Sequence, residues 1–376
     1  MRVLHVYKTY LPDDFTGVAR VIWGIAEALA NQGVESHVLC LSEMPAASPI
    51  TTGHHVTHQV RQDLFIASTS LSLALFGKFH SLLNTVDVVH YHCPWPMADL
   101  LHLTNRRIPS VVTYHSDVVK QRFLKRLYAP LQTCFLGTVD RIIATSPHYA
   151  ASSPILRRHA DKTSVISIGI GDEQTPRSQT VAKWRARLGD KFFLFVGALR
   201  YYKGLPFLID AARATGLPVV IAGDGPCKPD DAPDNVTFLG QVSEEDKIAL
   251  LSLCRGFVFP SHQRSEAFGV ALLEAARAGK PMITCEIGTG TSYVNNNGET
   301  GLVVPPCDSG ALAEAMRILA EDEELAARLG AKARARYERL FQASDMGAAY
   351  HRVYRELTAQ QKSRVPSRTM IRRAEA

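Results

Sequence analysis

The sequence lacks the marks of several large protein classes. Its seven cysteines, Cys40, Cys93, Cys134, Cys227, Cys254, Cys285 and Cys307, are scattered, odd in number and contain no C-x-x-C. That pattern points away from a disulfide framework or zinc ribbon and toward reduced thiols in a cytosol. Long clean apolar runs are missing too. The strongest, LFIASTSLSLALFGKFHSLL from Leu64, is rich in serine and broken by Lys78 and His80. A buried or surface-lying helix is expected there instead of a membrane span. The opening MRVLHVYKTYLPDD has too short an apolar stretch for a signal peptide. A cytoplasmic protein, not integral to a membrane, is therefore expected.

Two nucleotide signatures are also absent. No strand-G-x-G-x-x-G-helix unit and no G-x-x-x-x-G-K-[ST] loop occur, which argues against hydride chemistry and kinase-type phosphoryl transfer. No D-x-D pair stands at a strand end to chelate a metal, since Asp13-Asp14 and Asp230-Asp231 read as loop acids. His90 and His92 lie on one face of a strand, but no third ligand follows at zinc spacing, so they read as a polar strand end. No metal and no other cofactor is expected. Strong charge of one sign is lacking as well. A net charge of +6 tolerates an anionic nucleotide or lipid headgroup and is too weak to argue for nucleic acid.

What is present is a soluble globular chain of 376 residues, long enough for two domains. Short Val-, Ile- and Phe-rich runs alternate with helical patterns, the signature of parallel α/β layers. Strands are expected at Val3–Tyr7, Ser36–Leu41, Asp87–His92, Ser110–His115, Arg141–Thr145 and Ser164–Ile168, with helices at Val18–Asn31, Met97–Asn105 and Lys120–Thr138. The polar segment GIGDEQTPRSQT then suggests a linker. A second series follows: FFLFVG, PVVIAGDG, NVTFLG, GFVFPS, PMITCE and GLVVPP. These near-continuous apolar runs suit sheets covered on both faces. The expected organisation is a domain over 1–170, a linker over 171–188, a second domain over 189–342, and a C-terminal helix with a basic tail over 343–376. The fold class is α/β, two Rossmann-like doubly wound domains facing a central cleft, with ligands beyond the carboxyl ends of the strands.

Chemistry-bearing residues gather at those strand ends. Arg200 and Lys203 follow FFLFVG just before a helix, where cations and free N–H groups make a diphosphate clamp. Gly223 and Gly225 in IAGDGP let a ligand or another backbone approach closely. In SEAFGVALLEAARAGKP, Glu266 and Glu274 are eight residues apart. At about 100° per residue they would sit roughly 80° apart on one helix. The better reading puts Glu266 on the loop or first turn and Glu274 two turns inside the helix.

These motifs together resemble retaining glycosyltransferases of the GT-B fold, glycosyltransferase family 4. The run from Pro260 to Pro281 resembles the family's E-x7-E motif, and GALRYYKG its phosphate clamp. GDGP and TGLVVPP fit the neighbouring segments, KTYLPDDFTG resembles the N-terminal glycine loop, and TYHSD the region of an active-site histidine. Within the family, CEIGTGTSYVNNNGETGLVVPP and YHCPWPMADLL look closest to bacterial enzymes of O-antigen or lipopolysaccharide synthesis that use GDP-mannose or GDP-rhamnose. The resemblance implies that Arg200 and Lys203 hold the donor diphosphate and that Glu274 meets the nucleotide ribose. It implies that Glu266, with backbone near Phe268 and Gly269, contacts the transferred sugar, with His115 and Asp117 beside it. Gly17 and Gly225 join the donor site on the same ground. One departure stands out: the glycine loop reads Thr16-Gly17-Val18-Ala19-Arg20, with one glycine and a cation where the family usually has two glycines and an acid.

The activity so implied is transfer of a hexose from a nucleotide-diphosphate sugar to a lipid-linked oligosaccharide. Same-face attack assisted by the leaving phosphate and double displacement through Glu266 both remain open, as no second carboxylate stands at glycosidase geometry. A nucleotide-sugar epimerase and a non-catalytic glycan-binding protein are the alternatives. The helix VVKQRFLKRLYAPLQ, with Lys120, Arg122, Lys125 and Arg126, is basic on one side and could rest on an anionic membrane.

Overall fold

The computed structural model describes residues 1–15, 17–66, 69–105, 108–117, 122–172, 175–229 and 231–364. The chain divides into two compact units. The first takes Met1–Ala144, Pro154–Ile166 and the helix Ala343–Arg364; the second takes Thr145–Ser153 and Ser167–Gln342. The expected boundary near residue 170 therefore falls at Ile166, and a short segment around the helix Pro147–Ser152 belongs to the second unit.

In the first unit the strands are β1 (Arg2–Val6), β2 (Glu35–Ser42), β3 (Ile50–Thr52), β4 (His55–Arg61), β5 (Leu64–Ile66), β6 (Thr69–Leu71), β7 (Val88–Cys93), β8 (Ser110–Tyr114), β9 (Arg141–Ala144) and β10 (Thr163–Val165). Eight of them form one sheet in the order β10-β9-β8-β7-β1-β2-β4-β3, parallel throughout except for the β3–β4 pair. Every residue of β7 and β8 is buried, as expected for central strands with both faces covered. The helix Val18–Ala30 buries Val21, Ile22, Ile25 and Leu29, spaced to make one apolar face, and packs on the helix Ala343–Arg364.

Two expectations for this region need correction. Strands β3 and β4 were not foreseen, because His, Thr and Gln interrupt the apolar alternation of HVTHQVR. The run from Leu64 is not one helix. Its first part is the antiparallel β5–β6 hairpin, and only Ala74–Leu83 is helical, burying Leu75, Phe79 and Leu82 at helical spacing. The backbone here pairs across the hairpin, Leu64 opposite Leu71 and Phe65 opposite Ser70, and the Ser70 carbonyl accepts from the Trp95 indole, so its bonds run sideways instead of along a helix. The basic helix is described over Arg122–Thr138, and the expected start at Lys120 lies outside the described residues.

The second unit carries β11 (Phe193–Val196), β12 (Val219–Ala222), β13 (Val236–Gly240), β14 (Gly256–Phe259), β15 (Met282–Cys285) and β16 (Gly301–Val304), all parallel, in the order β13-β12-β11-β14-β15-β16. The linker is shorter than expected. Ser178–Leu188 is a helix packed on Glu244–Leu253, with Trp184 buried and its indole donating to Asp246 at 2.6 Å. A buried indole needs such an acceptor, which a polar run of sequence does not reveal. No helix among the described residues is long and apolar enough to cross a membrane.

Both sheets reverse their strand order, between β1 and β7 in one and between β11 and β14 in the other. Ligands of open α/β sheets bind at the carboxyl ends beside such a reversal.

Candidate active site

In the second unit the reversal sets the exits of β11 and β14 side by side, and the two exit loops are tied together. The His262 amide donates to the Tyr202 carbonyl at 2.9 Å. Gly204 has φ 71°, and a Cβ there would stand 2.1 Å from the Pro260 carbonyl oxygen, so only glycine fits. The short 3-10 turn Tyr201–Lys203 ends at this contact, which delivers Lys203 to the β14 loop. The Lys203 ammonium lies 2.5 Å from Glu266 Oε2 and 4.3 Å from the centre of the Phe259 ring. Ser261 Oγ donates to the same Glu266 oxygen at 3.4 Å. Arg200, which opens the turn, is exposed, and among the described residues its guanidinium has no ion pair.

The next strand exit approaches this turn by backbone alone. A Cβ on Gly223 would lie 2.0 Å from the Gly197 carbonyl oxygen, and one on Gly225 2.6 Å from that of Leu199. Leu199 in turn donates to the Asp224 carbonyl at 2.9 Å. Of the two readings of G-x-G, the structure realises close approach of another backbone segment.

Glu266 stands in the loop after β14, and Glu274 is the fifth residue of the helix Val270–Arg277. The backbone before that helix is held from β15: Thr289 Oγ1 donates to the Glu266 carbonyl at 2.8 Å and the Gly290 amide to the Ala267 carbonyl at 2.7 Å. Phe268 is buried, with its ring edge-on to Phe341. Gly269, at φ 86°, starts the helix without a side-chain cap, leaving first-turn N–H groups directed outward with the positive end of the dipole. Glu274 is 2% exposed and accepts from the Lys247 ammonium at 2.7 Å; Lys247 also reaches Glu244 at 2.7 Å.

Lys247 escaped the sequence reading. It sits in SEEDK, where Ser243 caps the Asp246 amide, and the stretch reads simply as a helix start. Nothing local links it to a glutamate twenty-seven residues on. Arg200, Lys203, Gly225, Glu266, Phe268, Gly269 and Glu274 are thus all carried by the second unit at one end of its sheet.

Gly17, His115 and Asp117 belong to the first unit. Gly17 precedes the helix Val18–Ala30 with φ 49° and ψ −114°, a conformation open to glycine, and a Cβ there would meet nothing. Asp117 accepts from the Tyr114 hydroxyl at 3.2 Å. His115 is buried, and its Nε2 lies 2.9 Å from Nδ1 of His92. Burial pushes its pKa down to about 3, so the ring is neutral.

The pair His90 and His92 does have a third neighbour, contrary to the sequence reading. His5 comes from β1, which pairs with β7 in the register His5 opposite His90, and one ring nitrogen from each of the three falls within 4.8 Å of the others. Strand order brings it there, so spacing along the chain could not show it. Hydrogen bonds already occupy the nitrogens of His90 and His92: His90 with Tyr354 and Thr113, His92 with His5 and His115.

The family described as Glycosyltransferase Family 4 matches residues 15–174, and that described as Glycosyl transferases group 1 matches 176–336. D-rhamnosyltransferase WbpZ of Pseudomonas aeruginosa is 50% identical, covering 91% of this chain and 93% of its own length. O-antigen chain mannosyltransferase C of Escherichia coli is 47% identical, covering 95% of this chain and 99% of its own. Among solved structures, sucrose-phosphate synthase from Thermosynechococcus elongatus superposes with a TM-score of 0.77 at 22% identity, over 96% of this chain and 99% of that one. Anabaena HepE in complex with UDP superposes at 0.75 and 18% identity, over 95% of this chain and 100% of that one. At such identities these two show a shared GT-B fold.

Proposed function

The chain belongs to glycosyltransferase family 4, and on that premise we propose that it moves mannose or rhamnose from a GDP-linked donor to a lipid-linked saccharide in O-antigen or lipopolysaccharide synthesis. The choice of sugar and pathway draws on the two relatives near 50% identity, a rhamnosyl- and a mannosyltransferase. The observation that carries the chemistry is the grouping after β11 and β14: exposed Arg200, Lys203 paired to Glu266, and the uncapped helix start at Gly269.

In this reading Arg200, Lys203 and the helix N–H groups stabilise the charge that grows on the departing diphosphate, which they do electrostatically. Glu266 orients the transferred sugar, Glu274 accepts from the ribose hydroxyls, and His115 and Asp117 contact the sugar. No metal is assigned a role. Retention follows if the leaving phosphate deprotonates the acceptor on the face it leaves. The Lys203 ammonium at 2.5 Å favours that route, since a carboxylate whose charge is shared with an ammonium is a weaker nucleophile. The lipid-linked acceptor places the work at the inner face of the cytoplasmic membrane, with the basic helix as its contact.

A thermal-shift screen against GDP-, UDP-, ADP- and CMP-sugars, repeated with Arg200→Ala, tests the reading. A donor that binds only the folded protein raises its melting temperature by mass action. GDP-mannose or GDP-rhamnose is expected to give the largest shift, reduced in the variant. Equal shifts in both proteins would remove the clamp, and hydrolysis or epimerisation of the donor without acceptor would replace the transferase reading.

A further inference from the structure

The first unit holds a row of buried imidazoles of which the proposed chemistry uses only one end. His5 on β1, His92 on β7 and His115 after β8 come from three strands adjacent in the sheet. Nδ1 of His5 lies 3.1 Å from Nε2 of His92, and Nδ1 of His92 lies 2.9 Å from Nε2 of His115. The rings stack at 26° and 24° along the row. His5 and His92 are fully buried and His115 is 7% exposed. Beside them His90 is held at both nitrogens, each at 2.7 Å, by the Tyr354 hydroxyl and Thr113 Oγ1.

A neutral imidazole has one donor and one acceptor nitrogen. Burial lowers the pKa of His5 and His115 to about 3 and that of His92 well below its usual value, so all three rings are neutral at pH 7. A row of neutral imidazoles joined by such bonds must point its N–H groups all one way. If they point toward His5, its Nε2 carries a proton. If they point toward His115, that nitrogen is a bare acceptor. Nε2 of His5 is buried with no hydrogen-bond partner among the described residues. Orphaned buried N–H groups are rarer in proteins than under-satisfied acceptors. The row therefore runs from His5 Nδ1–H to His92 Nε2, then from His92 Nδ1–H to His115 Nε2. The His115 proton is left on Nδ1, which has no partner among the described residues but, unlike His5 Nε2, is not sealed in: the His115 ring is 7% exposed, so this N–H can meet solvent or a ligand.

We propose that His92, backed by His5, is a positioning residue that locks neutral His115 in its Nδ1–H tautomer, making it a hydrogen-bond donor to a sugar hydroxyl and not a proton acceptor. The identity of that hydroxyl rests on the glycosyltransferase reading above; the tautomer rests on the row itself. Its consequence is that His115 cannot serve as general base, because its only acceptor nitrogen is already taken by His92.

The test is a two-bond 1H–15N correlation spectrum of the full chain labelled with 15N-histidine, recorded with and without sugar donor and in the variants His92→Phe and His92→Asn. The amide of Asn can still donate to Nε2 of His115. The expected result is an Nδ1-protonated His115 in the wild type, lost in His92→Phe and recovered in His92→Asn. Transfer kinetics should follow: kcat lower by about tenfold or more in His92→Phe, the loss of about one hydrogen bond, with donor KM little changed and most of the rate restored in His92→Asn. An Nε2-protonated His115 in the wild type overturns the proposal, as does an unchanged tautomer in His92→Phe. Joint movement of the His5, His90 and His92 resonances on adding one equivalent of Zn²⁺ also overturns it, by making the cluster a metal site. The wild-type spectrum decides the matter even where a variant fails to fold. Absence of any transfer activity would sink the glycosyltransferase reading while leaving the tautomer result standing.

Discussion

The ammonium of Lys203 lies 2.5 Å from a carboxylate oxygen of Glu266, and both side chains are largely buried although sixty-three residues separate them. Two loops from adjacent strands are thereby joined at the point where the sheet reverses. Removing one member leaves the other charge buried and unpaired, which costs about 3–5 kcal/mol, whereas removing both costs far less. Lys203→Met and Glu266→Gln should each destabilise the protein strongly in urea, and the double variant should be more stable than the sum of the two losses predicts. Strict additivity would show that the pair does not couple the loops.

The second glutamate has its own lysine. Lys247 donates to Glu274 at 2.7 Å from inside the helix Glu244–Leu253. If Glu274 receives the ribose, Lys247 holds its carboxylate in place, and loss of one charged hydrogen bond is worth about 1.5–3 kcal/mol. Lys247→Met should raise donor KM by roughly tenfold or more with kcat nearly unchanged, as for lost uniform binding. An unchanged KM in a variant that melts like the wild type would remove Lys247 from the donor site.

Two glycines should separate conformation from crowding. Gly17 and Gly204 both have left-handed φ, 49° and 71°, but a Cβ on Gly17 meets nothing while one on Gly204 meets the Pro260 carbonyl oxygen. Gly17→Ala should therefore cost only the backbone term for its φ 49°, ψ −114° conformation, about 1–3 kcal/mol. Gly204→Ala should cost clearly more and disturb the Lys203–Glu266 contact. Equal losses of melting temperature in the two variants would contradict the close approach.

The buried histidines fix the sign of the pH dependence. His5 and His115 titrate near pH 3 in the folded protein and near 6.5 when exposed, and His90 and His92 are lowered too, each chiefly by burial. Below about pH 6.5 the unfolded chain binds protons that the native one refuses. Their contribution is thus full above 6.5 and lost as pH falls toward 3, at about 1.4 kcal/mol per pH unit for each ring. Asp99 acts oppositely. Burial raises it to about 7, offset in part by bonds from the Tyr128 hydroxyl and Cys93, so its contribution is full below about 3.8 and lost as pH rises through 7. Urea unfolding between pH 4 and 7 should show stability rising with pH, and Asp99→Asn should steepen the rise by about one proton. A flat profile would mean that the histidines are not buried neutral.

Much of this was legible in the chain itself. Alternating strand and helix patterns determined two α/β series, and a rotation of 100° per residue already separated Glu266 on its loop from Glu274 inside a helix. The cations of ALRYYKG were placed after β11 by the same local reading. Periodicity speaks for neighbours two to four residues apart and for nothing further. The pairing of Lys203 with Glu266 and of Lys247 with Glu274 depends on which strands and helices become neighbours, and β11 meets β14 only because the chain crosses over after β13. In the same way β1 inserts between β7 and β2, and this alone carries His5 to His92 and so to His115. The residue types came with the sequence; their partners were decided by strand order, a property of the folded sheet that no local stretch encodes.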